Sequence, residues 1–195
     1  CIAVCTLNVE ENLSKVLESC LLNVEKFNLI VVDGNSKDKT ISIAKKYTSN
    51  IYFDKGTGLA DARNIALNNC NSEYIFYVGP DNVISEDLLN SLIIEMNLNN
   101  WVGISSTSFY KNPKNYFERS FNLYKKAKYS FGERKIIGTP WLYKTELLKK
   151  MKWTAGRTYS DDSDFCQRIE KLNLKIGISK KSCFEIGTVN FSDLK

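Results

Sequence analysis

The sequence gathers carboxylates at two places where they could do chemistry. Asp161-Asp162-Ser163-Asp164 sets three acids in four residues, at the head of a segment that runs on to Arg168. Gly79-Pro80-Asp81-Asn82 sets one carboxylate and one amide directly behind an apolar run, Tyr74–Val78. Both have bland explanations, since a helix dipole favours an acidic first turn and Gly-Pro-Asp-Asn is ordinary turn chemistry. Three acids in one turn exceed what capping requires, however, and their repulsion raises the proton affinity of at least one of them. A carboxyl tuned in that way suits a general base. Asp81 suits a hard divalent cation, because Mg²⁺ is commonly held by one or two carboxylates plus phosphates and water. Histidine is absent. That removes His-based triads, His-zinc sites and imidazole bases, and leaves proton transfer to carboxylates, Tyr, Lys or Cys.

Two further polar clusters, Thr6-Leu7-Asn8-Val9-Glu10 and Asp33-Gly34-Asn35-Ser36, also follow apolar runs. Asp33 can accept a hydrogen bond from an imide N–H such as that of uracil, or close an Asx turn with Gly34. Arg63 sits in a helical pattern of core-facing residues. Its guanidinium can stay on the solvent face or turn inward to pair a diphosphate.

The elements that must position these residues change character along the chain. Ile2–Cys5, Asn28–Val32, Ile51–Phe53 and Tyr74–Val78 are short apolar runs without alternation. Between and after them, Asn12–Leu22, Thr40–Tyr47, Gly58–Cys70 and Glu86–Met96 carry apolar residues at helical spacing. That order predicts a parallel sheet covered on both faces, whose ligands bind outside the carboxyl ends of the strands. Three of the polar clusters fall at such ends and would line one crevice. Beyond Trp101–Phe109, another expected strand, the alternation breaks. Asn112–Lys128 reads as an aromatic and basic helix, Ile136–Tyr143 as extended, and Asp161–Leu172 as a helix. Lys175–Ile178 and Cys183–Ile186 read as final short strands.

With 195 residues, 43% of them hydrophobic and 25% charged, the composition is that of a soluble globular protein, most simply one domain. No apolar run approaches the roughly 20 residues that span a bilayer. The sequence opens on Cys1 inside an apolar segment, without a methionine, so a start further upstream is expected. None of the six cysteines forms a Cys-x-x-Cys pair, and reduced core thiols in a cytosolic protein are the expectation. The net charge of +5 is local: residues 110–135 hold eight Lys or Arg against two Glu.

Five blocks occur in order: TLNVEENLSKVLES, VVDGNSKDKTISIAKKY, GLADARNIAL, YIFYVGPDN and YSDDSDFCQRIEKLNLKIG. Together they resemble the inverting family-2 glycosyltransferases of the GT-A fold, over about residues 1–180. The resemblance implies an α/β nucleotide-diphospho-sugar transferase fold, with a mostly parallel central sheet and helices on both faces. It implies one glycosyltransferase domain over 1–195, with about 1–100 binding the nucleotide sugar and about 101–195 the acceptor. Thr6 and Glu10 would lie near nucleobase and ribose, Asp33 at the base edge, and Arg63 on the diphosphate. Asp81 would hold Mn²⁺ or Mg²⁺, although Gly79 stands where the family's motif has its first carboxylate and the downstream histidine of many relatives is missing. Asp162 maps onto the general base, Asp161 onto its acidic partner, and Arg168 onto an arginine of the same helix. Gly138–Leu148 resembles the acceptor-side loop and its following helix, with Thr139 as an acceptor contact and Trp141, joined by Trp153, either an acceptor-side platform for a sugar ring or a core ring.

The expected activity is metal-assisted transfer, with inversion, from a UDP-sugar to a hydroxyl of a glycan or lipid-linked glycan. Gly79 and the absent histidine also allow a protein that binds sugar nucleotides without catalysis. A sugar-phosphate nucleotidyltransferase would want a Gly-rich basic loop after the first strand, where TLNVEEN is acidic. No nucleic-acid-reading motif accompanies the basic segment. Its aromatic residues Tyr116, Phe117, Phe121 and Tyr124 either pack in the core or border the acceptor site on an anionic surface, giving a cytoplasmic protein a peripheral membrane contact through 113–135.

Overall fold

The computed structural model describes residues 1–23, 27–156 and 160–187. Tyr159, the first residue of the acidic block, and the expected domain's last residues, 188–195, lie outside them. Strands β1 (Ile2–Thr6), β2 (Leu29–Asp33), β3 (Ile51–Phe53) and β4 (Tyr74–Val78) lie in the order β3-β2-β1-β4, all parallel. Helices α1 (Glu10–Leu21), α2 (Thr40–Ala44) and α3 (Leu59–Asn68) make the crossovers. The chain moves outward from β1 to β3 and then returns to β4 on the other side of β1. Ligands in open α/β sheets settle at such a reversal, beyond the carboxyl ends of the strands.

Strand periodicity sorts the core. Ile2, Val4, Phe76 and Val78 face α1 and α4 (Leu88–Leu98), where Leu13, Val16, Leu17, Leu88 and Leu92 are fully buried. Ala3, Ile75 and Tyr77 point the other way, against α3 and α7 (Asp161–Lys171), packing with Ala66, Leu67, Phe165 and Ile169. Helices therefore cover both faces, as a parallel sheet requires.

The second half joins the same sheet by different pairings. β8 (Trp141–Lys144) runs antiparallel to β4 and to β6 (Gly103–Tyr110), and β6 runs parallel to β9 (Ile176–Glu185). Two short strands, β5 (Asn82–Val83) and β7 (Gly132–Arg134), are antiparallel on β9. β9 unites the two strands expected at Lys175–Ile178 and Cys183–Ile186. Exposed Lys180, Lys181 and Ser182 lie between its apolar ends and hide its continuity in the sequence. The extended segment expected over Ile136–Tyr143 contributes strand only from Trp141, because Pro140 has no N–H for a ladder. α6 (Thr145–Met151) follows at once, and α5 (Tyr116–Lys128) starts where Asn115 accepts from Glu118 N at 2.9 Å.

One cysteine expectation is corrected. Cys1 and Cys70 form a disulfide, with Cα atoms 5.9 Å apart, whereas Cys5, Cys20, Cys166 and Cys183 are free. The fold sets the start of β1 beside the end of α3, a juxtaposition that a sequence separation of 69 conceals. Among the described residues no helix is long and apolar enough to cross a membrane.

Candidate active site

The acidic cluster opens α7 directly after Ser160, whose φ of 56° is left-handed. Asp161 is buried, with 7% of its side chain exposed, while Asp162 keeps 33%. Between them stands Arg63, from the middle of α3. Its Nη1 donates to Asp161 Oδ2 and, at 2.8 Å, to Asp162 Oδ1; its Nη2 donates to Thr139 Oγ1 at 3.1 Å. The guanidinium carbon lies 4.9 Å from the ring centroids of both Trp141 and Trp153. A buried cation needs such compensation: carboxylates for its charge and ring faces for its plane. Burial disfavours its charge, but Asp162 and Asp161 outweigh that and push its pKa up. Burial in turn raises the Asp162 carboxyl above its ordinary value; Arg63 opposes the shift and Asp161 adds to it. Asp162 Oδ2 looks past Gly138, where a Cβ would come within 3.4 Å. Arg63 thus turns inward from α3 toward the acidic pair. Its donors hold the acidic pair.

Asp164 is engaged differently. Its Oδ2 accepts from Thr154 Oγ1 at 2.7 Å and from Arg168 Nε at 3.2 Å. Arg168 also donates to the carbonyls of Met151 and Lys152, both at 2.9 Å, and so ties α7 to the end of α6.

At the crevice, Thr6 and Asp33 end adjacent strands. Asp33 is fully buried: Oδ2 accepts from Thr6 Oγ1 at 2.9 Å and Ser36 Oγ at 2.6 Å, and Oδ1 from Ser36 N at 2.7 Å. A carboxylate at a sealed strand end must be satisfied inside the protein, and this one is. Asp33 thus braces the ends of β1 and β2, and buried Thr6 shares that role. Glu10 is exposed; its Oε2 accepts from Lys39 N at 2.8 Å, lacing the loop after β1 to the loop after β2. These loops rim a cleft of about 420 Å³ lined by Asn8, Glu10, Asp38, Pro80, Asp81 and Gly187, within the size range of small-molecule sites. Pro80 also borders a smaller hollow shared with Arg63, Gly79 and Thr139.

Asp81 is half-buried on the far wall of this cleft. Glu185, at the end of β9, stands beside it. Burial, with the Asp81 carboxylate as the next cause, pushes the Glu185 carboxyl up to about 7. Glu185 belongs to none of the sequence motifs; its one local mark is that it is a carboxylate inside the apolar run Cys183–Ile186. Among the described residues no group of three or more His, Cys, Asp or Glu is placed to hold a metal. Asp81 and Glu185 bring two carboxylates together, fewer than a closed protein cage for a cation requires.

The sequence pattern of glycosyl transferase family 2 matches residues 1–152, most of the chain. The chain belongs to that family. It is 27% identical over 202 residues to the glycosyltransferase GlyA of Streptococcus pneumoniae, covering 91% of this chain and 29% of that protein. Over 95 residues it is 33% identical to the minor teichoic acid biosynthesis protein GgaB of Bacillus subtilis, which covers 44% of this chain and 11% of that one. TarS 1-349 of S. aureus, solved with UDP-GlcNAc, is similar with a TM-score of 0.75 at 19% identity, over 97% of this chain and 58% of that chain. The mannosyltransferase PcManGT of Pyrobaculum calidifontis, solved with GDP-Man and Mn²⁺, gives 0.77 at 18%, over 97% and 57%. The fold is GT-A.

On this family-2 scaffold the acceptor-side expectations divide. Thr139 lines the hollow and bonds Arg63. Trp141 is fully buried, stacked on Trp153 with centroids 4.9 Å apart, and Trp153 is 2% exposed. A ring without a free face cannot stack on a sugar, and both tryptophans pack as core rings.

Proposed function

We propose that this family-2 chain transfers a sugar from a nucleotide sugar, a UDP-sugar by preference, to a hydroxyl acceptor with inversion. The observation that carries the reading is Asp162: a partly exposed carboxyl, raised in pKa by burial, held by Arg63 and with one oxygen facing the space left by Gly138. Its carboxylate takes the acceptor hydroxyl proton as the acceptor oxygen bonds to the anomeric carbon. The bond from that carbon to the diphosphate breaks on the opposite side, and its electron pair leaves with the diphosphate. Asp161 and Arg63 keep Asp162 in place throughout. Asp81, with the open wall around it, would hold a divalent Mn²⁺ or Mg²⁺, which when bound neutralises charge on the departing diphosphate. Glu10 and Asn8, which line the cleft, would face the nucleoside.

TarS with UDP-GlcNAc and PcManGT with GDP-Man and Mn²⁺ support a nucleotide-sugar donor and a metal. GgaB, a teichoic acid protein, supports a glycan-type acceptor. The exposed basic side of α5 supports a peripheral membrane contact. Screening nucleotide sugars with Mn²⁺ for thermal stabilisation, then for slow donor hydrolysis, tests the reading. A donor at 100 times its dissociation constant contributes about 2.7 kcal/mol. Stabilisation without any hydrolysis or transfer would favour a non-catalytic binding protein.

A further inference from the structure

We propose that Glu185 is the second protein ligand of the divalent cation at Asp81, supplying from β9 the carboxylate that position 79 lacks. The inference rests on the metal-assisted reading above and adds to it a residue that the β4 motif does not contain. Register delivers the side chain: β5 and β9 pair with Asn82 opposite Glu185, and Ile186 N donates to Asp81 O at 2.9 Å. Glu185 Oε2 accepts from Asn82 Nδ2 and Ser108 Oγ, both at 3.1 Å, which fixes the carboxylate plane. Oε1 accepts a longer bond, 3.4 Å, from Gly187 N. It retains a lone pair for a cation.

Two glycines shape the opening. A Cβ on Gly187 would sit 3.3 Å from Glu185 Oε1 and 3.6 Å from Asp81 Oδ2, filling the space that both oxygens border. A Cβ on Gly79 would come within 2.6 Å of Asp81 Oδ1 and 2.7 Å of Asn82 Oδ1. A side chain at 79 would therefore make Asp81 and Asn82 turn away from their present positions, and with glycine there a second acid can come only from another strand. Two carboxylates bordering one opening repel, and a hard divalent cation between them reverses the sign of that interaction. Lys125 attracts both from the α5 side, so a purely structural ion pair is the competing role for Glu185.

Titrating Mn²⁺ into the chain with UDP present, and following free Mn²⁺ by electron paramagnetic resonance, separates the two. Glu185→Gln keeps the shape and, through its carbonyl oxygen, the bonds from Asn82 and Ser108, while it removes the charge and the long bond from Gly187 N. We expect it to weaken Mn²⁺ binding about tenfold or more, a scale that even outer-shell partners of metals reach, while the metal-free melting temperature holds or rises. If Glu185→Gln binds Mn²⁺ as wild type does while Asp81→Asn does not, Glu185 is no ligand and the metal reading stands. If wild type binds no Mn²⁺ beyond what UDP alone takes up, both fail. Should the glutamine variant not fold, Glu185→Asp decides, since a shortened ligand arm weakens binding and unchanged affinity would overturn the proposal.

Discussion

The two halves of the sheet secure their carboxylates by different means. In the β1–β4 half, Asp33 is held by neighbours in its own crossover: its partners Thr6 and Ser36 lie 27 and 3 positions away. In the other half, Asp161 and Asp162 depend on a guanidinium 98 and 99 positions away, and Glu185 is fixed by an amide at a separation of 103. Local bracing gives a rigid, sealed rim, suited to shaping a nucleotide cleft. Long-range pairing leaves Asp162 and Glu185 partly exposed and raised in pKa, which suits proton transfer and metal binding. The contrast makes Arg63 the strut between the halves, and removing it should produce the largest effect.

Arg63→Leu can fill the slot between Trp141 and Trp153 but leaves Asp161 and Asp162 without a counter-charge. Breaking one side of a buried ion network costs about 3–5 kcal/mol, and urea unfolding should show a loss of that size. A variant as stable as wild type would mean that the acidic pair needs no strut and that the two halves are independent there.

Asp162→Asn tests whether chemistry belongs to the second half alone. The amide is nearly isosteric and still accepts from Arg63, yet it cannot take a proton. Transfer should fall by about 10² or more, with donor binding by calorimetry unchanged. Transfer close to wild type would move the base elsewhere. Asp164 would be a poor substitute, because Thr154 and Arg168 already hold it.

That outcome also bears on how the sequence could be read. Apolar runs and helical spacing revealed β1 to β4, α1 and α3, because each depends on residues near in sequence. The acidic block was visible as a departure from what capping needs. Arg63 was visible only as an arginine on an apolar helix face, and nothing local pointed it at residues 161 and 162. Trp141 stayed open between platform and core because an aromatic residue in a loop motif has no local mark of burial. Glu185 was hidden because β9 read as two strands, so its register with Asn82 did not exist in the sequence reading.

A smaller effect should separate the halves by pH. The base works only when deprotonated, and burial raises the Asp162 pKa. As pH falls, transfer should therefore decline before an ordinary aspartate would protonate. Asp161→Asn removes the neighbouring negative charge that adds to the rise, so its acid limb should move to lower pH. Identical limbs in the two proteins would assign the titration to another group, with Glu185 the next to examine.

The smallest effect expected is on the surface of α5, where the helix itself divides as the molecule does. Phe121 turns inward onto Tyr110, with ring centroids 5.4 Å apart, and Asn122 bonds the Tyr110 backbone. Lys125 lies between Phe121 and Tyr129, 4.8 and 5.0 Å from their centroids, so it belongs to the site side. Tyr116, Leu123 and Tyr124 are 78%, 69% and 51% exposed, with Arg119, Lys126 and Lys128 exposed around them. The aromatic face expected from the sequence is therefore split between Phe121 inside and Tyr116 and Tyr124 outside. Each Lys or Arg beside an anionic bilayer contributes about 1 kcal/mol, enough in sum for reversible peripheral binding. Replacing Arg119, Lys126 and Lys128 by Glu should cut sedimentation with anionic liposomes at low salt and leave UDP-sugar binding unchanged. Lys125→Glu should do the reverse, disturbing the cleft more than the liposomes. Wild-type protein that stays in the supernatant under those conditions would remove the membrane contact and leave the exposed side of α5 as a solvated rim.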